Sequence, residues 1–185
     1  MFDSDYSLTG KHATYLKFLA VKNSQDDDDA ESVNSAKLFA RYIDVYMNAV
    51  VFGLLYNRTA KRDTESKSRA QIYAAAFNTE RANCVFLYRM VMLLDTTTEL
   101  TTEERINRAF RDDSNPEKAE EFKKNMELFH DYVRGGIEYM YEQLTDGCTA
   151  RSDYLDRTYE VVTTFKKELE GISYEDELAK LIKER

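Results

Sequence analysis

Residues 38–58 read LFARYIDVYMNAVVFGLLYNR, and this stretch decides the fold class. Its apolar residues recur at intervals of three and four, which places them along one side of an α-helix. That line comprises Leu38, Tyr42, Val45, Ala49, Phe52 and Tyr56. Only Arg41, Asp44 and Asn48 form a polar strip. A helix with so little polar surface needs neighbours on most sides, so we expect a central helix over residues 31–61 of an all-α protein.

The composition supports one helical domain. One proline and six glycines among 185 residues favour helices with few tight turns. We expect a single helical-bundle domain over residues 1–185, since this length can bury a sizeable core. Within it we predict an N-terminal helix and acidic loop (1–30), a long helical hairpin (31–95) and C-terminal helices (101–185).

Three further stretches with helical spacing predict the neighbours of the central helix. A polar turn at residues 62–66 leads into a second helix over 67–94, so these two helices should be antiparallel. Two more long helices are predicted over 117–144 and 152–172. The expected architecture is an elongated antiparallel bundle of four long helices plus two or three short ones.

Local signals mark the ends and contacts of these helices. Thr101 and Glu104 have the spacing of a capping box, which would open a short helix. Gly135 and Gly136 lie inside a predicted helix, where each costs about 1 kcal/mol relative to alanine. They indicate either a kink or a close approach by another helix. Residues 23–29 are rich in aspartate and predict a solvated loop.

Charge and cysteine usage restrict the classes of partner and compartment. The net charge of −8 argues against a general nucleic-acid binder. The two cysteines form no CxxC pair, which is typical of a reducing compartment. No apolar run approaches the ~20 residues of a membrane span, and the N-terminus lacks the pattern of a signal peptide. We therefore expect a cytoplasmic protein with no membrane partner.

One pair of residues has the spacing of metal ligands. Glu127 and His130 match the Glu-x-x-His motif that supplies iron ligands in ferritin-like bundles. A dinuclear site needs a second such pair, but Thr9 stands where the glutamate before His12, the other histidine, would be. No phosphate-binding glycine loop or nucleophile motif is present either. We expect no cofactor, no metal and no catalytic residues, with Glu127 and His130 as the alternative metal candidates.

A basic cluster surrounds the turn of the predicted hairpin. It comprises Arg58, Lys61, Arg62, Lys67 and Arg69. One interpretation is contact between the hairpin tip and phosphate groups of a nucleic acid. The other is that cations stabilise the negative C-terminal end of a helix, which does not account for Lys67 and Arg69.

Three charged residues, Arg41, Asp44 and Arg89, lie in apolar surroundings. An unpaired buried charge is costly, so we hypothesise that one of the arginines bridges Asp44 or Glu80 for structural reasons.

The aromatic content favours an interaction role. The chain has thirteen tyrosines and ten phenylalanines but no tryptophan. Tyrosine suits half-buried surfaces and interfaces. The interface candidates are Tyr42, Tyr46, Tyr56, Tyr139 and Tyr141. We expect a non-enzymatic helical interaction module, either a homo-oligomer or a subunit of a larger cytosolic complex. The alternatives are an accessory subunit of a nucleic-acid-processing or prokaryotic defence machine, and a metal-dependent helical-bundle enzyme.

Overall fold

The structure is a computed structural model that describes residues 1–20 and 38–170. The predicted acidic loop, the predicted start of the central helix and the end of the chain lie outside the described residues. The described chain divides into two compact units, residues 1–142 and the residues from Gln143 onward. Each unit is described by itself.

The described residues are mainly helical, as expected from the sequence. In chain order the elements are β1 (Tyr6–Thr9), α1 (Gly10–Leu19), α2 (Tyr42–Leu55), β2 (Arg69–Ile72), α3 (Ala74–Thr79), α4 (Arg81–Leu94), α5 (Thr102–Phe110), α6 (Ala119–Thr145) and α7 (Arg151–Glu170). A bundle of four long helices is not confirmed, because α2 and α4 have only 14 residues each. None of the described helices combines the length and apolar character needed to cross a membrane.

The central helix is shorter than predicted. It begins at Tyr42, where Arg41 and Asp44 form a capping box, and it ends at Leu55. Asn57 adopts a left-handed conformation with φ 48°, which stops the helix because the chain turns away there. The next residues run along α6, where the Ala60 amide donates to the Asp131 carbonyl at 2.9 Å. The prediction of helix to residue 61 is therefore wrong.

The prediction of one continuous helix over residues 67–94 is also wrong. Its first part is β2, which pairs antiparallel with β1 so that Tyr6 faces Ile72 and Thr9 faces Arg69. Ala70 and Ile72 are buried whereas their neighbours are exposed, the alternation expected of a half-buried strand. The long helical hairpin predicted over residues 31–95 is thus replaced by α2, a strand and two helices, α3 and α4.

The described C-terminal elements follow the prediction closely. Thr101 caps α5, and its amide donates to Glu104 Oε2 at 2.8 Å while the Glu104 amide donates back to Thr101 Oγ1 at 3.3 Å. α6 ends at Thr145 and α7 begins at Arg151, each within one residue of the predicted boundary. The capping box is confirmed.

The glycines of α2 and α6 allow the two helices to touch backbone to backbone. A methyl group at Gly136 would overlap the carbonyl of Ala49, and one at Gly53 would overlap the carbonyl of Tyr132. Of the two interpretations of Gly135 and Gly136, the structure shows the close approach of another helix. The buried core around this contact comprises Ile43, Val45, Tyr46, Ala49 and Val50 of α2 with Phe129, Val133, Ile137 and Met140 of α6.

This contact predicts that Gly136→Ala is destabilising. Alanine is the better helix former by about 1 kcal/mol, but the obstructing atoms are backbone and cannot move unless the helices separate. We expect a net loss of about 3 kcal/mol in the free energy of unfolding, measured by urea denaturation.

Gly147→Ala is the matched control. Gly147 has φ 73° but no atom near its missing Cβ, so alanine should cost only about 1 kcal/mol through backbone strain. Equal losses for the two variants would refute the role assigned to the helix contact.

Candidate functional site

Among the described residues of the first unit, a prominent exposed apolar surface lies on α4 and α5. The inner face of α4 buries Cys84, Tyr88, Val91 and Met92 against the core. Its outer face is also apolar, and Phe86 is 66% exposed and Leu94 57% exposed. Phe110 at the end of α5 is 47% exposed beside them. One face of α4 thus packs against the core, while the opposite apolar face stays exposed to solvent.

These residues line a groove of ≈ 870 Å³. The apolar lining, here called the α4–α5 groove, comprises Val85, Phe86, Met90, Leu93, Leu94 and Phe110. Contiguous exposed apolar side chains rimmed by polar residues are candidates for sites of protein contact.

The charged residues lining the groove are Arg81 and Arg89. The guanidinium of Arg89 lies over the ring of Phe110, with Cζ 5.0 Å from the ring centroid, a cation–π contact. Its Nε is buried without a hydrogen-bond partner among the described residues. Arg89 therefore does not bridge Asp44 or Glu80.

Arg41 makes the contacts that Arg89 lacks. Its Nη2 donates to Asp44 Oδ1 at 2.5 Å and to Glu80 Oε1 at 2.9 Å. Hydrogen bonds from Asn83 and Arg41 lower the pKa of Glu80. The first turn of α2 is thereby tied to the start of α4, which fixes one end of the groove.

A buried polar network fixes the other end. Asp95, directly after α4, is fully buried and accepts from the Tyr132 hydroxyl at 2.8 Å and from Arg108 Nη1 at 3.3 Å. Burial opposes ionisation of Asp95, but hydrogen bonds from Thr97 and Tyr132 outweigh it and lower its pKa. Because Arg108 belongs to α5 and also donates to the Met92 carbonyl at 2.6 Å, the network holds α5 against α4. It thus places Phe110 beside Phe86.

Sequence reasoning missed this network. The available signal was a single aspartate at the end of an apolar run, Met-Leu-Leu-Asp95, followed by Arg108 on the next predicted helix. Asp95 and Arg108 are thirteen residues apart and belong to no local sequence motif, so the sequence does not predict their ion pair.

The metal candidates do not assemble a metal site. Glu127 Oε1 accepts from Arg134 Nη2 at 2.6 Å, and His130 stacks face to face on Tyr6 with ring centroids 4.0 Å apart. Among the described residues, no three histidine, cysteine, aspartate or glutamate side chains are grouped so that they could hold a metal ion.

The basic cluster is not the tip of a helical hairpin. Arg58 pairs with Glu142 at 2.6 Å, and Lys61 pairs with Asp131 on α6. Arg62, Lys67 and Arg69 are exposed. The cations therefore lie on an extended segment and on β2, and at least two of them are already neutralised by carboxylates.

A polar cleft of ≈ 780 Å³ adjoins this segment, and Lys61 and Asp131 are among its lining residues. Its lining includes five basic and five acidic side chains, so it has no net preference for an anion.

The tyrosine candidates do not form one surface. Tyr46 is fully buried, so its assignment to an interface is wrong. Tyr56 stacks on Tyr139 at 4.2 Å between ring centroids, and Tyr141 stacks on Tyr15 at 3.9 Å. Tyr42 is half-buried, and burial raises its pKa. These rings mainly pack helices of this chain against one another.

The environment of His130 predicts a pH dependence of stability. Burial, with a smaller effect from Arg134, lowers the pKa of His130 to about 3. An unfolded chain has a histidine pKa of about 6.5, so it binds a proton that the folded chain does not. The stabilisation is complete above pH ~6.5 and is lost progressively as the pH falls toward ~3.

Between pH 7 and pH 5 the free energy of unfolding should therefore fall by roughly 2 kcal/mol more in the wild type than in His130→Phe. Urea denaturation of both proteins at the two pH values measures this difference. His12 is fully buried, and burial lowers its pKa, but it is present in both proteins, so it contributes equally to the two pH dependences. If the free energy of unfolding falls equally in the wild type and in His130→Phe, the lowered pKa of His130 is contradicted.

Comparison with known proteins gives no match: no protein-family model matches the chain, and neither do the curated proteins or the solved structures that were searched. The function is therefore inferred from the geometry alone.

Proposed function

We propose that the chain is a non-enzymatic interaction module, a subunit that binds an α-helix of a partner protein in the α4–α5 groove. The observation that carries this proposal is the outer face of α4, where Phe86 and Leu94 are both more than half exposed. Apolar side chains at helical spacing, in a groove between two helices, are the receptor half of helix-in-groove recognition.

The dimensions of the groove suit a short helix. Its lining extends along α4 from Arg81 to Leu94, which at 1.5 Å per residue is about 20 Å. That length accommodates three to four turns of a partner helix. Phe86, Leu94 and Phe110 would act as the central contacts, since large apolar side chains dominate the energetics of such interfaces.

The surrounding network supports binding without rearrangement. The ion pairs of Arg41 hold the start of α4, and the Asp95 network holds its end against α5. A preformed groove spares the partner the cost of ordering it. An interaction role would therefore explain why Arg41 and Asp95 hold both ends of α4 in place.

The two alternative functions receive less support. Phosphate contact through residues 58–69 would have to compete with Glu142 for Arg58 and with Asp131 for Lys61. Metal-dependent chemistry at Glu127 would have to displace Arg134.

The proposal predicts the behaviour of Phe86→Glu in cells that express the chain from its own gene. A carboxylate in the centre of the groove should abolish recovery of the partner with the full-length tagged chain, a loss of more than tenfold, because a large apolar contact is replaced by a charge that binding would have to desolvate. Quantitative mass spectrometry of the purified complex measures the loss.

Tyr73→Glu is the matched control, since Tyr73 is 56% exposed and lies outside the groove lining. It introduces the same charge and should leave recovery unchanged. The proposal fails if both variants retain the partner, or if the wild-type chain sediments as a monomer with no companion.

A further inference from the structure

We infer that the helix bound in the α4–α5 groove belongs to another protein and is acidic, with two carboxylates seven or eight residues apart that pair with Arg89 and Arg81. This inference rests on the proposed function and adds the chemistry of the partner. It follows from the charges at the groove and from the state of Arg89.

Among the described residues, no carboxylate forms an ion pair with Arg89, and its Nε is buried without a hydrogen-bond partner. The side chain is half-buried and lines the groove. By contrast, the buried arginines Arg108 and Arg134 both pair with carboxylates. A partly buried guanidinium is costly to leave unpaired, and a planar fork of N–H donors matches a carboxylate. Its cation–π contact with Phe110 holds the guanidinium at the groove.

The distance between Arg89 and the second cation, Arg81, sets the separation of the two carboxylates on the partner helix. Arg81 and Arg89 are eight residues apart on α4, which corresponds to about 12 Å along the helix. A partner helix packed along α4 covers that distance in seven or eight residues. Among the described residues, no acidic side chain lines the groove.

The same charges argue against a second copy that uses this face. In an isologous dimer the groove of one copy would meet the identical groove of the other. Arg81 and Arg89 would then face the same two cations, and like charges in a desolvated contact are strongly unfavourable. An acidic helix of a different protein has the complementary pattern.

Selection from a displayed library tests the inference with the full-length chain as target. The probe is a library of helical peptides of about 18 residues, about 27 Å long as a helix, which extends past both ends of the groove. Their apolar face is fixed as leucine, and the flanking positions encode glutamate, glutamine or lysine with equal frequency. The double variant Phe86→Ala and Leu94→Ala, which changes no charge, is screened in parallel.

We expect glutamate to be enriched at two positions seven or eight residues apart. Arg89→Gln should weaken the selected acidic peptides about tenfold, the size expected for a charge-assisted hydrogen bond. It should leave matched glutamine peptides unchanged. Selection against Arg89→Glu should enrich lysine at the position facing residue 89.

The remaining outcomes separate the two proposals. Peptides that need Phe86 and Leu94 but show no preference for glutamate would overturn the inference and leave the groove as the binding site. Failure to select any peptide that depends on Phe86 and Leu94 would overturn both. Self-association of the chain that the double variant abolishes would assign the groove to a second copy and also overturn the inference.

Discussion

The close contact between α2 and α6 is the constraint on which the first unit depends. Gly53 and Gly136 have no side chains, so the backbones of the two helices meet at Ala49 and Tyr132. Both helices bury residues over several turns around this contact, and α2 does not continue past Leu55. The chain instead turns at Asn57 and runs along α6, and it reaches β2 in position to pair with β1.

The groove on α4 is a consequence of this arrangement. α2 contacts the inner face of α4, and the Asp95 network anchors α5 at the end of the same helix. The elements packed on α4 therefore cover its inner face and one edge, while Phe86 and Leu94 stay exposed. A cation, Arg89, is held over Phe110 and pairs with no carboxylate among the described residues. Burying apolar surface and pairing a charge would both favour occupation of this face.

Local signals made part of the fold predictable. The capping box at Thr101 and the spacing along α6 and α7 depend on residues within a few turns of one another, so the sequence reveals them directly. β2 could not be predicted because its partner, β1, lies about sixty residues earlier and four residues of alternation are a weak signal. The groove was missed for another reason. An apolar helix such as α4 shows no polar face, so its sequence does not tell which side the core covers.

The central claim is that another protein's acidic helix covers Phe86. The most direct measurement is site-specific photo-crosslinking, with a photoreactive phenylalanine analogue at position 86 of the full chain in cells that express it from its own gene. Mass spectrometry then identifies the crosslinked partner residue. We predict that this residue lies on an amphipathic helix with carboxylates within two turns of it. Crosslinks to a basic or non-helical segment, or to another copy of this chain, would contradict the account.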